Sequence, residues 1–468
     1  MDRLRQVCNE HCHKNERSKY IVKLMIYTRE KMEFKEFKLS KYNLVAKYGN
    51  KTLVFNSLMN TFTEVGELEI ENSVHFAHLP ESEIKKLIDQ GIIIHEGVDE
   101  DRLTYIKYVE TIDSDILHLV ILPTLNCNFR CSYCYEDKVG QVMSDETIEH
   151  IEEFVKKEIK GVKGVNVSWF GGEPLVAQGI IEKISEKLMS IAKFYKKQYF
   201  ASMTTNGFFL TRDVLKKMLK YNIIHYQITL DGNKEMHDRT RILVNGKGSY
   251  DTIVENLRDI RDHVTSRVFN IVIRNNLTKD SMEYFDEFAD FLYQEFGHDD
   301  RFGFMFRRVG NWGGKEIENM LSNIIEKEDI LITKLLGLKY KFNLYNQFMH
   351  FEKFPLCYAA CKNNYVINPK GQILKCTVDL DNEKNYIADI NEKGEIQFND
   401  NYVNWIYAAV GKNISEKCKN CKLYANCFAN VCPLVLIRNN AFTPSECNYH
   451  DKELIVMYKS HPELFLKL

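Results

Sequence analysis

Between residues 116 and about 310 the period of the apolar positions switches repeatedly. Short apolar runs at 117–122 (LHLVIL), 165–170 (VNVSWF), 198–204 (QYFASMT), 223–230 (IIHYQITL), 267–274 (RVFNIVIR) and 302–308 (FGFMFRR) read as strands. Helical spacing separates them. Ile148, Ile151, Phe154, Val155 and Ile159 share one face of 145–160. Met282, Phe285, Phe288 and Phe291 share one face of 281–296, with Asp280 as the expected N-cap. Six strand–helix pairs predict a parallel sheet with helices outside, either a (β/α) barrel, open or closed, or a doubly wound sheet.

The flanking segments follow other patterns. Residues 33–98 read as a small α+β unit: EFKLSKYNLVAKY and KTLVFNSL are strand-like and parted by a turn at Gly49-Asn50, LPESEIKKLIDQG is a short helix ending at Gly91, and IIIHEG adds a strand. The expected division is an extension at 1–32, the α+β unit at 33–98, a charged linker helix at 99–115, the barrel-like region at 116–315, bridging helices at 316–350 and a cysteine-rich domain at 351–468.

Composition narrows the partners. Lys and Arg number 63 against 65 Asp and Glu, a net charge of −2, so nothing favours nucleic acid. The N-terminal stretch lacks the apolar core of a signal peptide, and no run of about 18 apolar residues suggests a membrane span. A cytoplasmic location is expected.

Thirteen cysteines in such a chain point to metal or redox chemistry rather than disulfides. Eleven are grouped: Cys127, Cys131 and Cys134 directly after the first barrel-like strand, and Cys357, Cys361, Cys376, Cys418, Cys421, Cys427, Cys432 and Cys447 near the other end. Cys8 and Cys12 stand apart on the polar extension and read as free thiols. Loops after parallel strands are where active sites form. Three thiolates can hold three irons of a [4Fe–4S] cluster and leave the fourth open. The bland alternative is a zinc site completed by a distant ligand.

The CNFRCSYCYE stretch, a C-x3-C-x2-C spacing with Tyr133 before the last cysteine, resembles the radical S-adenosylmethionine (SAM) superfamily. The likeness extends to WFGGEP after the second strand, TTNG (204–207) after the third, and TLDG (229–232) and HDRTR (237–241) after the fourth. The resemblance implies a partial (β/α)6 barrel in which the open iron chelates SAM and one electron cleaves it to a 5′-deoxyadenosyl radical. It further implies SAM contacts at Tyr133, Gly171, Gly172, Glu173, Thr229 and Arg241. The glycines would let the backbone approach SAM, Glu173 would accept from its ammonium, and Thr229 would lie near its carboxylate or ribose. The family position before GGEP is often polar; here it is Phe170.

The late cysteines resemble the SPASM extension of radical SAM peptide maturases. That likeness assigns Cys357, Cys361, Cys376 and Cys432 to one auxiliary [4Fe–4S] cluster and Cys418, Cys421, Cys427 and Cys447 to a second, three clusters in all. Two departures stand out: four residues rather than three separate Cys427 from Cys432, and the Cys357–Cys361 gap is short. If Cys357 does not bind, the first auxiliary cluster has an open iron for a substrate thiolate. Residues 33–98 also resemble the winged-helix element of ribosomal-peptide maturases, which binds a leader peptide as an added strand.

The resulting expectation is an enzyme that modifies a ribosomally made precursor peptide, joining a cysteine sulfur to carbon as a thioether. An electron donor such as flavodoxin or ferredoxin would serve it. Carbon–carbon crosslinking and a sulfatase-type formylglycine maturase are the enzymatic alternatives, and a zinc-stapled peptide-binding protein the non-enzymatic one. The formylglycine enzymes carry a carboxylate beside the third auxiliary cysteine, where this chain has Thr377, with Asp379 the nearest acid. No catalytic base is assigned. Cys131→Ala is expected to abolish SAM cleavage, measured as 5′-deoxyadenosine release, while about eight auxiliary irons per chain remain; retained cleavage would overturn the assignment.

Overall fold

The computed structural model describes residues 37–65, 80–136, 140–314, 316–326, 328–348, 351, 356–407, 416–428, 432–439 and 450–467. Cys8, Cys12 and Cys447 lie outside the described residues. At the N-terminal end come β1 (Phe37–Leu39), β2 (Asn43–Tyr48), β3 (Lys51–Asn56), β4 (Thr61–Val65) and β5 (Ile93–His95). β2, β3 and β4 form an antiparallel meander, and β1 pairs antiparallel with β5. Tyr48 faces Lys51, so the first hairpin turns on Gly49-Asn50 alone, with Gly49 at φ +60. The helix Glu81–Asp89 buries Ile84, Leu87 and Ile88 against Val54, Met59 and Ile93.

The stretch expected to be a linker contains the helix Glu100–Ile112, and that helix is packed rather than spanning. The Asp99 side chain caps it by accepting from Asp101 N and Arg102 N. Lys107 Nζ donates to Ser57 O at 2.6 Å and to Asn426 Oδ1 at 3.0 Å, and Tyr108 OH donates to Ile406 O at 3.0 Å. The helix thus joins the N-terminal unit to the cysteine-rich end.

The next strands are β6 (Ile116–Ile121), β7 (Phe129–Cys131), β8 (Gly164–Trp169), β9 (Gln198–Thr205), β10 (Ile223–Thr229), β11 (Arg241–Leu243), β12 (Asn270–Leu277) and β13 (Phe302–Arg308). β6, β8, β9, β10, β12 and β13 lie side by side, all parallel and in chain order. A doubly wound sheet would reverse that order at a switch point. Crossovers of one hand instead set the helices on one side, and the sheet is a partial (β/α)6 barrel. β12 begins and ends three residues later than the apolar run suggested, and it buries two polar residues, Asn275 and Asn276, near its end. The helix after it is capped not by Asp280 but by Thr278, in a reciprocal capping box with Ser281.

Both free edges of this sheet are covered. The stretch 316–350, expected to be helical, is helical among its described residues as a 3-10 turn at Glu316–Asn323 and an α-helix at Glu328–Leu336. Residues 343–347 then run along β13: Phe304 N donates to Asn343 O at 2.9 Å, Tyr345 N to Phe304 O at 2.8 Å, and the Gln347 amide bonds both the N–H and the C=O of Phe306. Unpaired strand groups there outweigh the local helical pattern. At the other edge β14 (Asn364–Ile367) pairs parallel to β6, followed by antiparallel β15 (Gln372–Leu374) and β16 (Tyr386–Asp389), so the sheet has nine strands among the described residues. The last strand, β17 (Phe465–Lys467), pairs parallel with β4. No helix among the described residues is long and apolar enough to cross a membrane.

One core runs through barrel and cysteine-rich segments alike. Phe154, fully buried on the helix Asp145–Glu158, meets Tyr365 of β14 edge-on at 5.8 Å. Phe154→Ala is expected to cost about 3–5 kcal/mol, read as a lower urea midpoint with its slope unchanged; an unmoved midpoint would show that this junction is not under load.

Candidate active site

The Cys127–Cys134 loop leaves the C-terminal end of β6 and is stitched on every side. Leu125 N and Thr124 Oγ1 both bond Gln141 O, at 3.0 and 2.8 Å. β7 pairs with β11 so that Cys131 faces Arg241. Ser132 N donates to Thr240 O at 3.0 Å and Val244 N to Asn128 O at 2.9 Å. Phe129 anchors the loop: it is fully buried, with the Phe208 ring beside it and the Arg241 guanidinium 5.5 Å over its face. Cys131 is buried while Cys127 and Cys134 are partly exposed. Among the described residues no three His, Cys, Asp or Glu converge tightly enough for a single ion; a cluster that gives each thiolate its own iron needs a wider spread.

The GGE element serves this loop from below. A Cβ at Gly171 would sit 2.5 Å from Thr124 O, and one at Gly172 would sit 2.4 Å from Asn126 O. Gly171 also holds φ +105, which side chains rarely adopt. The glycines therefore permit close approach to the cysteine loop. Glu173 N then donates to Asn126 O at 2.8 Å. The Glu173 carboxylate is fully buried and accepts from Leu175 N (3.0 Å), Thr205 Oγ1 (2.7 Å) and Asn206 N (2.7 Å). Burial raises its pKa against these bonds. An ionised carboxylate offers about four acceptor positions, so one stays open for an incoming donor such as an ammonium. Phe170 packs with Leu122, Val366 and Leu374 on the β14–β15 side.

Arg241 and Tyr133 belong to one buried group. Tyr133 OH donates to Asp231 Oδ2 and accepts from Arg241 Nη1 at 2.7 Å and from Asn276 Nδ2 at 3.3 Å. The phenol thus bridges a carboxylate and a guanidinium. Asp231 Oδ1 accepts from Asn276 N at 2.7 Å. Burial raises Asp231 and Tyr133, while the Arg241 charge works against both shifts. Thr229, buried at the end of β10 opposite Arg274, precedes this group by two residues. Three buried polar atoms nearby in the chain have no protein partner: Arg241 Nε, Asn128 Nδ2 and Asn275 Oδ1. Three thiols at one strand end, an open carboxylate position and unpaired buried donors and an acceptor fit a cluster that carries a polar amino-acid ligand.

Residues 121–291 match the family described as Radical SAM superfamily. The chain is an enzyme with a radical SAM domain. It is 22% identical over 445 residues to a radical SAM cyclopropyl synthase, TigE, of Paramaledivibacter caminithermalis, covering 84% of this chain and 89% of that protein. It is 26% identical over 335 residues to a cysteine-type anaerobic sulfatase-maturating enzyme of Clostridium novyi, covering 66% of this chain and 86% of that one. A solved structure of native anSMEcpe with bound AdoMet and Cp18Cys peptide shares the fold with a TM-score of 0.55 at 19% identity, covering 75% of this chain and 98% of that one. The radical SAM family implies a [4Fe–4S] cluster and SAM.

Beyond the radical SAM domain, Cys361, Cys376 and Cys432 each act on Cys357. Burial pushes the Cys357 thiol up to about 12, with Cys376, Cys432 and Cys361 adding to the rise. Burial likewise pushes Cys376 to about 11, and Cys432 acts on it too. Cys432 reaches this group because the helix it precedes, Pro433–Asn439, is pinned to the 379–384 turn. Arg438 Nε donates to Asp379 Oδ2 at 2.8 Å, and Lys384 Nζ donates to Ile437 O at 3.0 Å. Asn385 holds Cys376 from both sides, accepting from its N–H at 2.9 Å and donating to its C=O at 2.9 Å. Cys418, Cys421 and Cys427 lie around the short helices Glu416–Lys419 and Tyr424–Cys427, with Cys421 N donating to Cys418 O at 3.0 Å.

Asp231, Asn276 and Thr205 were not singled out by sequence patterns. Asp231 and Thr205 stood inside TLDG and TTNG, one residue after Leu230 and two after Met203; Asn276 carried no signal, lying just beyond the apolar run 267–274. Arg241→Met leaves Asp231 buried without its cation and is expected to cost about 3–5 kcal/mol in chemical unfolding. Adding Asp231→Asn should recover part of that loss; strictly additive costs would show that the two are not coupled.

Proposed function

We propose that this enzyme modifies a ribosomally made precursor peptide by abstracting hydrogen from carbon and joining a peptide cysteine sulfur there as a thioether. The observation that carries the proposal is that one residue, Tyr135, is influenced by a cysteine from each group. Tyr135, its phenol raised by burial and by Glu136, is acted on by both Cys134 and Cys376. When bound, the cluster and SAM supply a carbon radical able to abstract an unactivated hydrogen. Cys127, Cys131 and Cys134 are proposed to hold that cluster, with Glu173 receiving the ammonium and Arg241 the far side of the ligand. Cys357, Cys361, Cys376 and Cys432 are proposed to hold a first auxiliary cluster, and Cys418, Cys421, Cys427 and Cys447 a second. Their task is to take the electron left over when C–H and S–H become C–S and to favour the peptide thiolate.

A peptide leader would add as a strand to the N-terminal sheet. The β4 edge is held by β17, which directs that strand to β2. A sulfatase-type reaction is less well supported. Thr377 is bonded to Tyr358, and Asp379 is occupied by Arg438 and by Asn382 Nδ2 at 2.7 Å. Burial favours a higher pKa for Asp379, but those partners outweigh it and hold the carboxylate low, a poor general base. Carbon–carbon bond formation is the second reading, favoured by the likeness to the cyclopropyl synthase along most of both chains.

Anaerobic incubation with SAM, a reductant and a cysteine-containing precursor peptide separates the outcomes by mass and thiol alkylation. Loss of two hydrogens with one thiol no longer alkylatable is expected. The same loss with every thiol alkylatable would replace the thioether by a carbon–carbon bond, and loss of sulfur with a new aldehyde would indicate formylglycine chemistry.

A further inference from the structure

Lys375, between β15 and Cys376, is fully buried. Its Nζ donates to Cys361 O at 2.5 Å and to Asn364 O at 2.7 Å. The rings of Tyr365 and Tyr402 flank it, each with its centre 5.6 Å from the nitrogen. No carboxylate is among these partners. A buried ammonium without a counter-ion is costly, and two carbonyls and two ring faces compensate only in part. Cys361 and Cys357 act on Lys375, and Lys375 in turn acts on Cys361; both sulfurs would be thiolates once they hold iron. Four thiolates around a [4Fe–4S] core leave an excess of about two negative charges. An anion of that size beside the pocket accounts for a lysine where an apolar residue would otherwise pack.

We propose that Lys375 is the built-in counter-ion of the first auxiliary cluster and raises its reduction potential, so that this cluster accepts the electron released in bond formation. The proposal rests on Cys357, Cys361, Cys376 and Cys432 holding that cluster. A cation beside the cluster stabilises the more negative, reduced state. Lys375 also fixes the Cys361 carbonyl, so it is a positioning residue whose charge does the tuning.

The test is an EPR-monitored redox titration of the Cys127→Ala, Cys131→Ala, Cys134→Ala protein, which retains only auxiliary iron, with and without Lys375→Met. With iron unchanged at about eight per chain, one midpoint is expected to fall so that its reduced fraction at fixed potential drops about tenfold, which is about 59 mV for one electron. Unchanged iron with unchanged midpoints overturns the proposal. If Lys375→Met sheds iron, Lys375→Gln decides, because it keeps a donor toward Cys361 O without the charge. Iron retained with a lowered midpoint supports the counter-ion; an unmoved midpoint, or iron lost again, leaves only a structural lysine and overturns it. About four irons in the otherwise unaltered enzyme would remove the auxiliary clusters themselves, a failure distinct from either of these.

Discussion

The mouth of the barrel depends on one buried carboxylate. Parallel strands end together, but their loops diverge, and backbone N–H groups at those ends lose their ladder partners. Glu173 supplies acceptors to two backbone N–H groups there, of Leu175 and Asn206, and to the Thr205 hydroxyl, and its own N–H reaches Asn126. The ends of β8 and β9 and the start of the cysteine loop are thereby held as one unit. The carboxylate is expensive to bury, which is why three of its acceptor positions are taken by the protein.

A second tie acts from the other side. Tyr133 lies on the cysteine loop, Asp231 beyond β10, Arg241 on β11 and Asn276 on β12, and the phenol oxygen joins them. Opposite charges that do not touch directly are bridged through a single neutral hydroxyl, which fixes the loop relative to three strands. The loop is thus positioned before any ligand arrives, the preorganisation that a reactive centre requires.

The cysteine-rich segment is not a separate appendage. β14 continues the barrel sheet beyond β6, and Phe154 and Tyr365 share a core across that seam. Cysteine groups more than two hundred residues apart in the chain are brought to the same region by strand pairing. The Arg438–Asp379 pair then turns Cys432 away from its sequence neighbours and toward Cys376.

Much of this was legible in the chain. The period of apolar positions located all six barrel strands, and the cysteine spacings marked both groups, because local propensity and ligand spacing are short-range properties. Other features were not. The strand order that makes the sheet a barrel, the covering of β13 by a segment of helical pattern, and the addition of β14 to β6 follow from satisfying strand edges, which no local window contains. Asn276 and Asp231 read as loop residues because their partners lie on other strands. The sequence by itself determined which residues could carry the chemistry; only the tertiary structure decided that Glu173 braces the loop, that Asp379 is tied to Arg438 and that Lys375 is buried against two carbonyls and two tyrosine rings. The reason is physical: a buried charge takes its meaning from the groups packed around it, and those come from distant parts of the chain.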